Sequence, residues 1–185
     1  MAATYDDQDR LLSYGAMSFT YEAGGEFATK VDSATGETTG YAYDALGNLR
    51  TVTLPGGTVI EYLADGENRR VGKKVDGVLV QGWLWRDARH VVAELDGAGN
   101  VVARFVYTTG ANVPALLVKG GATYRILTDH VGSPRVVVDA ATGVVAQRMD
   151  YDEFGLVTLD TNPGFQPFGF AGGNRSPECV LRGGA

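Results

Sequence analysis

The chain has 185 residues, of which 22 are acidic and 16 are basic, for a formal net charge of −6. The two signs are mixed along the sequence, so no continuous basic surface is expected and nucleic acid is excluded as a predicted partner. A single cysteine, Cys179, excludes a disulfide framework and a cysteine-built zinc site, and no apolar stretch is long enough to span a bilayer.

Short strands joined by tight turns are predicted from one end of the chain to the other. Apolar and polar residues alternate over runs such as GTVIEYL (57–63) and VVARFVY (101–107), and no long window keeps a helical period. Glycine, at 26 of 185 residues, is spread through the chain instead of being confined to one linker. The turn signals, in chain order, are DALGN, LPGG, ADGEN, DG, DGAGN, KGG, DHVGSP and DAATG. The sequence therefore predicts an all-β chain of successive β-hairpins.

Aromatic residues recur about once per predicted hairpin. They stand at Tyr5, Tyr21, Tyr43, Tyr62, Trp85, Tyr107, Tyr124 and Tyr151. In YAYDALGNLRTVTL (41–54) the tyrosine is predicted to close one strand, DALGN to turn the chain and LRTVTL to start the next strand. Degenerate copies of this unit are TYDDQDRLLSY (4–14) and YLADGENRRVGKKV (62–75).

The stretch LTDHVGSPRVVVD (127–139) places the three side-chain types of a hydrolase triad within five positions, at Asp129, His130 and Ser133. Known triads assemble from distant segments, and neighbours in an extended chain point to opposite faces. Gly132 permits positive φ, Pro134 fixes its own φ, and Asp129 can accept hydrogen bonds from backbone amides two residues on. We therefore interpret DHVGSP as a self-bonded turn with no catalytic role.

Four further groups of residues are interpreted as structural. Asp150, Asp152 and Glu153 suggest paired carboxylates or a metal site, but they also fit a turn. The stretches DGAGN (96–100) and DSATGE (32–37) resemble calcium loops but lack the full spacing of one, so they are interpreted as hairpin turns. The basic stretch NRRVGKK (68–74) is interpreted as solvated or edge-protecting charge. Trp83 and Trp85 share a strand face and fit core packing, the alternative being an aromatic platform for a sugar or a protein.

Two stretches identify a family. YDALGNLRTV (43–52) resembles the tyrosine-aspartate repeat of the Rhs and YD-repeat proteins, and residues 124–157, followed by PFGFAG (167–172), resemble the repeat-associated core segment of that family. The matching positions are Tyr43, Asp44, Gly47, Asn48, Asp129, His130, Gly132, Ser133, Pro134, Tyr151, Asp152, Phe154 and Gly155. The resemblance implies YD-repeat hairpins over 1–106, a core segment over 107–172 and an atypical tail over 173–185. The expected fold is an open, curled antiparallel sheet, a fragment of a spiral β-shell.

The same resemblance implies a structural role without catalysis, cofactor or metal. The expected function is a shell wall around a cargo polypeptide in a toxin-type protein, and the alternative is a surface module that binds glycan or protein, with Trp83 and Trp85 as first candidates. Expected partners are the rest of the shell or its cargo, and self-association is expected through open sheet edges. Family members suggest a secreted or cell-surface location in bacteria. The tail AGGNRSPECVLRGGA (171–185) departs from the family pattern of self-cleavage motif and toxin, so both are expected to be absent.

Overall fold

The computed structural model describes residues 3–108, 112–152 and 155–173. Within them the chain forms sixteen strands and a single short 3-10 turn, Phe170–Gly172. The strands are β1 (Ala3–Tyr5), β2 (Leu11–Tyr14), β3 (Met17–Tyr21), β4 (Phe27–Asp32), β5 (Thr38–Tyr43), β6 (Leu49–Thr53), β7 (Val59–Ala64), β8 (Arg70–Val75), β9 (Val78–Trp85), β10 (Val91–Asp96), β11 (Val101–Val106), β12 (Leu116–Lys119), β13 (Ala122–Thr128), β14 (Pro134–Asp139), β15 (Val145–Tyr151) and β16 (Val157–Asp160).

All strands belong to one antiparallel sheet in which their order follows the chain from β1 to β16. Each predicted turn signal lies between two consecutive strands, so the predicted succession of hairpins is confirmed. Among the described residues β1 has only β2 as a neighbour and β16 has only β15, so the sheet is open. Both terminal strands are short, with three and four residues. No described helix has the length and apolar character needed to cross a membrane.

The chain divides into two compact units, Met1–Gly82 and Trp83–Ala185, which we call unit 1 and unit 2. This division differs from the predicted boundaries at 106/107 and 172/173, which follow sequence motifs and stay a prediction. The predicted atypical tail lies outside the described residues from position 174 onward.

The strands of unit 1 present two different faces, because cross-strand partners share a face and side chains alternate along a strand. One face, called the apolar face of unit 1, carries the core of this unit. It includes Phe19, Lys30, Thr39, Tyr41, Val52, Ile60, Tyr62 and Val75. The opposite face carries hydroxyl groups, with Thr20 paired to Thr29 and Gly40 paired to Thr53. The Thr20 and Thr29 hydroxyls are 2.6 Å apart.

The strands of unit 2 build a larger core on one face, called the apolar face of unit 2. Phe105, Leu117 and Tyr124 are successive cross-strand partners on it, as are Ile126, Val137 and Gln147. Residues 161–173, which follow β16, return over this face, and we call them the covering segment. Phe165 and Phe168 of this segment join the core cluster.

Candidate functional site

The tyrosine-aspartate motif forms a closed turn at Asp44–Asn48. Asp44 N–H donates to the Asn48 carbonyl and Gly47 N–H donates to the Asp44 carbonyl, both at 3.0 Å. The Asp44 carboxylate accepts from the backbone N–H of Leu46 at 3.0 Å and of Asn48 at 2.9 Å. Gly47 has φ of 78°, a left-handed value that glycine adopts without strain. Tyr43 ends β5, so the predicted division of this unit into strand, turn and strand is confirmed.

The same turn recurs along both units. Asp6, Asp65, Asp96 and Asp129 each accept from the backbone N–H groups two and four residues on. The strand pairs that enter these turns each contain a register shift of one residue, as at Ala42/Tyr43. A type I turn followed by one extra left-handed residue produces this bulge. The aspartate is therefore the residue that closes the hairpin.

Hydrogen-bond donors shift the titration of these turn carboxylates. The Asn48 backbone N–H, followed by the Asn48 side-chain amide, holds the pKa of Asp44 below its usual range. For Asp65 the Arg69 guanidinium, which donates from Nε at 2.8 Å, is the leading cause of the lowered pKa. These aspartates are therefore ionised at neutral pH, and their carboxylates stabilise the turns by accepting hydrogen bonds.

The DHVGSP stretch forms one of these turns, between β13 and β14. Gly132 has φ of 91°, as the interpretation of this stretch as a turn requires. Partial burial raises the pKa of Asp129, but the N–H groups of Ser133 and Val131, together with nearby positive charge, lower it more. Among the described residues no hydrogen bond joins His130 to Asp129 or Ser133, and His130 is exposed. The arrangement of a triad is not formed here.

Ser133 also makes a long-range contact, which the interpretation of DHVGSP as a self-bonded turn did not include. Its side chain is fully buried, and its Oγ accepts from the backbone N–H of Ala171 at 2.9 Å, across 38 positions of the chain. The turn therefore anchors the end of the covering segment. Beside it, a Cβ on Gly172 would lie 2.8 Å from Val113 Cγ2, so the segment fits only with glycine at this position.

The covering segment packs on unit 2 through two aromatic rings. The Phe165 ring meets Tyr124 edge-on with centroids 5.0 Å apart, and the Phe168 ring meets Phe105 in the same way at 5.1 Å. Lys119 Nζ donates to the Phe165 carbonyl at 2.7 Å and lies 5.2 Å from the centre of its ring.

Two buried amides hold the backbone of the covering segment. Gln166 accepts from Phe168 N–H at 2.6 Å and donates to the Phe168 carbonyl at 3.0 Å. Gln147 on β15 donates to Asp160 Oδ1 at 2.8 Å and to the Asn162 carbonyl at 3.0 Å. Reasoning from the sequence missed both residues, because an isolated glutamine carries no periodic signal. The two Gly-Phe pairs of GFQPFGF (164–170) were the available hint.

Trp83 and Trp85 lie with the core of unit 2. Trp83 is 4% exposed and belongs to the buried cluster, while Trp85 is half-buried and packs against that cluster. Such packing leaves little of either ring for a flat recognition platform.

The acidic residues near the end of β15 are engaged in ion pairs and turns. Asp150 lies 3.2 Å from Arg148 and 3.5 Å from Arg135, and Asp152 accepts from Leu156 N–H at 2.8 Å. Tyr151 packs against Phe170 with centroids 5.9 Å apart. A Cβ on Gly155 would lie 2.7 Å from the same Phe170 ring. Glu153 and Phe154 lie outside the described residues, and no cluster of three or more metal-ligating side chains occurs within them.

The basic stretch 68–74 requires a correction. It was interpreted in part as protection of a free sheet edge, but β8 is paired on both sides, with β7 and β9. Arg69 instead contacts Asp65 at 2.7 Å and Glu67 at 2.8 Å, and the Arg70 guanidinium lies 3.8 Å from the centre of the Tyr62 ring. The charges support a turn and an aromatic ring within the sheet.

The contact between His90 and Asp87 was not predicted from the sequence. His90 Nδ1 lies 2.7 Å from both carboxylate oxygens of Asp87, and its ring meets Tyr107 edge-on at 4.6 Å. Burial raises the pKa of Tyr107 to about 12, and its hydroxyl donates to the Val91 carbonyl at 3.0 Å. These contacts close the turn between β9 and β10.

Comparison with known proteins agrees with this architecture. The family model Teneurin YD-shell matches residues 1–181. Teneurin-4 of Homo sapiens is 23% identical over 182 residues, which cover 96% of this chain and 6% of the relative. Teneurin-1 of Gallus gallus is 25% identical over 175 residues, covering 91% of this chain and 6% of the relative. The chain thus spans only a small part of the length of these relatives.

Among solved structures, the crystal structure of TcdB2-TccC3 without its hypervariable C-terminal region has a similar fold. It superposes with a TM-score of 0.52 at 14% identity, covering 95% of this chain and 11% of that one. A second structure, TcdB2-TccC3, gives a TM-score of 0.50 at 13% identity, covering 88% and 11%. With the family match over nearly its whole length, the chain belongs to the Teneurin YD-shell family of YD-repeat proteins.

Proposed function

We propose that this chain is a wall segment of a shell that holds a polypeptide against its apolar faces. The observation that carries the proposal is the covering segment, a piece of chain made of turns and bends that lies on the apolar face of unit 2 through Phe165 and Phe168. Antiparallel sheets with one apolar and one polar face bury the apolar face against another layer. In unit 2 this second layer is itself a polypeptide, namely the covering segment.

Unit 1 supports the same role because its two faces differ in chemistry. Val52, Ile60 and Tyr62 form a buried cluster on its apolar face, while the opposite face carries threonines. The two similar solved structures each contain two named proteins, TcdB2 and TccC3, which favours protein partners for this chain as well. The proposal contains no catalytic step.

Recognition of glycan or protein through Trp83 and Trp85 has less support, because Trp83 is buried in the core of unit 2. For location we propose export to the cell surface or out of the cell, as the resemblance implies. Detection of the chain only in the cytoplasmic fraction of its native host would argue against export.

The wall proposal is tested with a photo-crosslinker placed on either face of unit 1. Benzoylphenylalanine replaces Tyr41 on the apolar face or, as the matched control, its neighbour Ala42 on the opposite face. The probe is reduced, carboxymethylated α-lactalbumin, a permanently unfolded polypeptide. We expect several-fold more crosslinked product from position 41 than from position 42. Equal yields, or none at position 41 in a variant whose circular dichroism matches wild type, would overturn the proposal.

A further inference from the structure

The covering segment shows in atomic detail what an apolar face of this sheet binds. Phe165 places its ring edge-on against Tyr124, and its carbonyl accepts a hydrogen bond from Lys119 Nζ. The same ammonium lies 5.2 Å from the centre of the Phe165 ring. One lysine thus binds both the backbone and the aromatic side chain of a single residue, a combination of a charge-assisted hydrogen bond and a cation–π contact.

Unit 1 also has a lysine, Lys30, on the same face as aromatic residues. Lys30 is the cross-strand partner of Phe19 on one side and of Thr39 on the other, so all three share the apolar face. The Phe27 ring lies 5.5 Å from Phe19 and 6.4 Å from Tyr41, measured between centroids. Lys30, Phe27 and Tyr41 are all half-buried.

The ammonium of Lys30 is available to a partner. Among the described residues Lys30 Nζ has no ion pair and no hydrogen bond. In unit 2 the corresponding groups, Lys119 and Tyr124, are occupied by a residue of the covering segment. Lys30, a half-buried residue and the cross-strand partner of Phe19, therefore offers unit 1 the kind of group that Lys119 supplies in unit 2.

We propose that Lys30, Phe19, Phe27 and Tyr41 form a site, called the Lys30 site, for an aromatic residue of a partner polypeptide. The partner's ring packs against Phe27 and Tyr41, and its backbone carbonyl accepts from Lys30 Nζ. The inference rests on the proposed wall function and adds the chemistry of the partner: closely spaced aromatic side chains on an irregular backbone, as in GFQPFGF of the covering segment. Such a segment presents rings three residues apart without forming a helix.

The test uses the full chain and a fluorescein-labelled peptide with the sequence of residues 161–173. Binding is measured by fluorescence anisotropy for wild type and for Lys30→Met, which keeps side-chain length and removes the charge. Lys74→Met is the matched control, because Lys74 pairs with Glu61 on the opposite face of unit 1. We expect about tenfold weaker binding to Lys30→Met, the effect of one lost charge-assisted hydrogen bond, and binding within about twofold of wild type for Lys74→Met.

Peptide variants and a second lysine locate the contact. A peptide with alanine at both Phe165 and Phe168 is expected to lose binding to wild type. Unchanged affinity of Lys30→Met would overturn the site, and so would binding that is kept by Lys30→Met but lost by Lys119→Met, because the peptide would then lie on unit 2. Lys30-dependent self-association of the chain in sedimentation would identify a second copy as the occupant and would also overturn the proposal of a partner.

Failure of this inference is distinguishable from failure of the wall function. If unfolded α-lactalbumin crosslinks at position 41 while the peptide shows no dependence on Lys30, the apolar face binds polypeptide without an aromatic preference and only the Lys30 site is wrong. If crosslinking at position 41 is also absent, the wall function itself is wrong.

Discussion

The two units use one hairpin design but complete their cores differently. Among the described residues, nine buried side chains of unit 2, Phe168 of the covering segment among them, form one cluster, while the corresponding cluster of unit 1 has three. The difference does not come from the strands, since both units alternate apolar and polar residues in the same way. It comes from a second layer, which closes a single sheet into a core. A YD-repeat sheet is therefore half of a core, and a covering polypeptide supplies the other half.

The largest expected effect comes from removing a ring of that second layer. Phe168→Ala should lower the free energy of unfolding by about 3 to 5 kcal/mol, because it leaves a cavity beside Phe105 in a closed core. Phe27→Ala in unit 1 removes a half-buried ring and should cost about 1 to 2 kcal/mol. Chemical denaturation followed by tyrosine and tryptophan fluorescence measures both. Equal costs would mean that the two units are closed to the same degree.

A glycine pair separates close packing from backbone strain. Gly172 and Gly57 have φ of 76° and 92°, but only Gly172 has a side chain within 3 Å of its missing Cβ. Gly57→Ala should cost about 1 to 2 kcal/mol from strain alone, and Gly172→Ala about 2 to 4 kcal/mol because strain and clash add. The comparison is made from thermal melts of the two variants. A Gly172→Ala variant as stable as Gly57→Ala would show that the covering segment is loosely held.

The anchor of the covering segment is tested by Ser133→Ala. The variant loses the hydrogen bond to Ala171 N–H and should be less stable by about 1 kcal/mol, the usual net worth of such a bond. A general esterase assay on the same preparations should show no difference between variant and wild type. Hydrolysis by wild type that disappears in Ser133→Ala would instead assign a chemical role to this serine.

Acid should affect both units through their aspartate turns. The folded pKa of Asp65 lies below its unfolded value, so its contribution to stability is present above the unfolded pKa and is lost as pH falls through the folded pKa. Asp65→Asn should therefore be less stable than wild type at pH 6, and the difference should shrink as pH falls below about 4. Asp7→Asn controls for the change in net charge. A difference that stays constant down to pH 2 would contradict the role of the charged carboxylate.

The hairpins were predictable from sequence because their determinants lie within a few residues. Asp44, Gly47 and Asn48 make their turn contacts inside five positions, and the same holds at Asp129. Not every repeated aromatic residue ends a strand as Tyr43 does, since Tyr62 and Tyr124 lie inside β7 and β13. At those two positions the alternation of faces, and not the turn, places the aromatic ring in the core.

The covering segment was not predictable because its contacts join distant positions. Phe165 meets Lys119 across 46 positions and Ala171 meets Ser133 across 38, while the segment itself has no strand alternation or helical period. The interpretation of charge at 68–74 was wrong about edge protection for a related reason, because only the strand order shows that β8 is interior. Local sequence patterns predict the hairpins, whereas contacts between distant residues determine the position of the covering segment.

The strands lie in the sheet in the same order as along the chain, and this order affects the time course of folding. Every strand pairs with the strand made just before it, so each hairpin can form as soon as its turn leaves the ribosome, with little loop-closure entropy. The covering segment is the exception, since its anchors on β12 and at Ser133 are synthesised long before it arrives. The apolar face of unit 2 is therefore exposed during synthesis until the last described residues emerge. Pulse-labelled hydrogen exchange during refolding should accordingly show strand amides protected before Ala171.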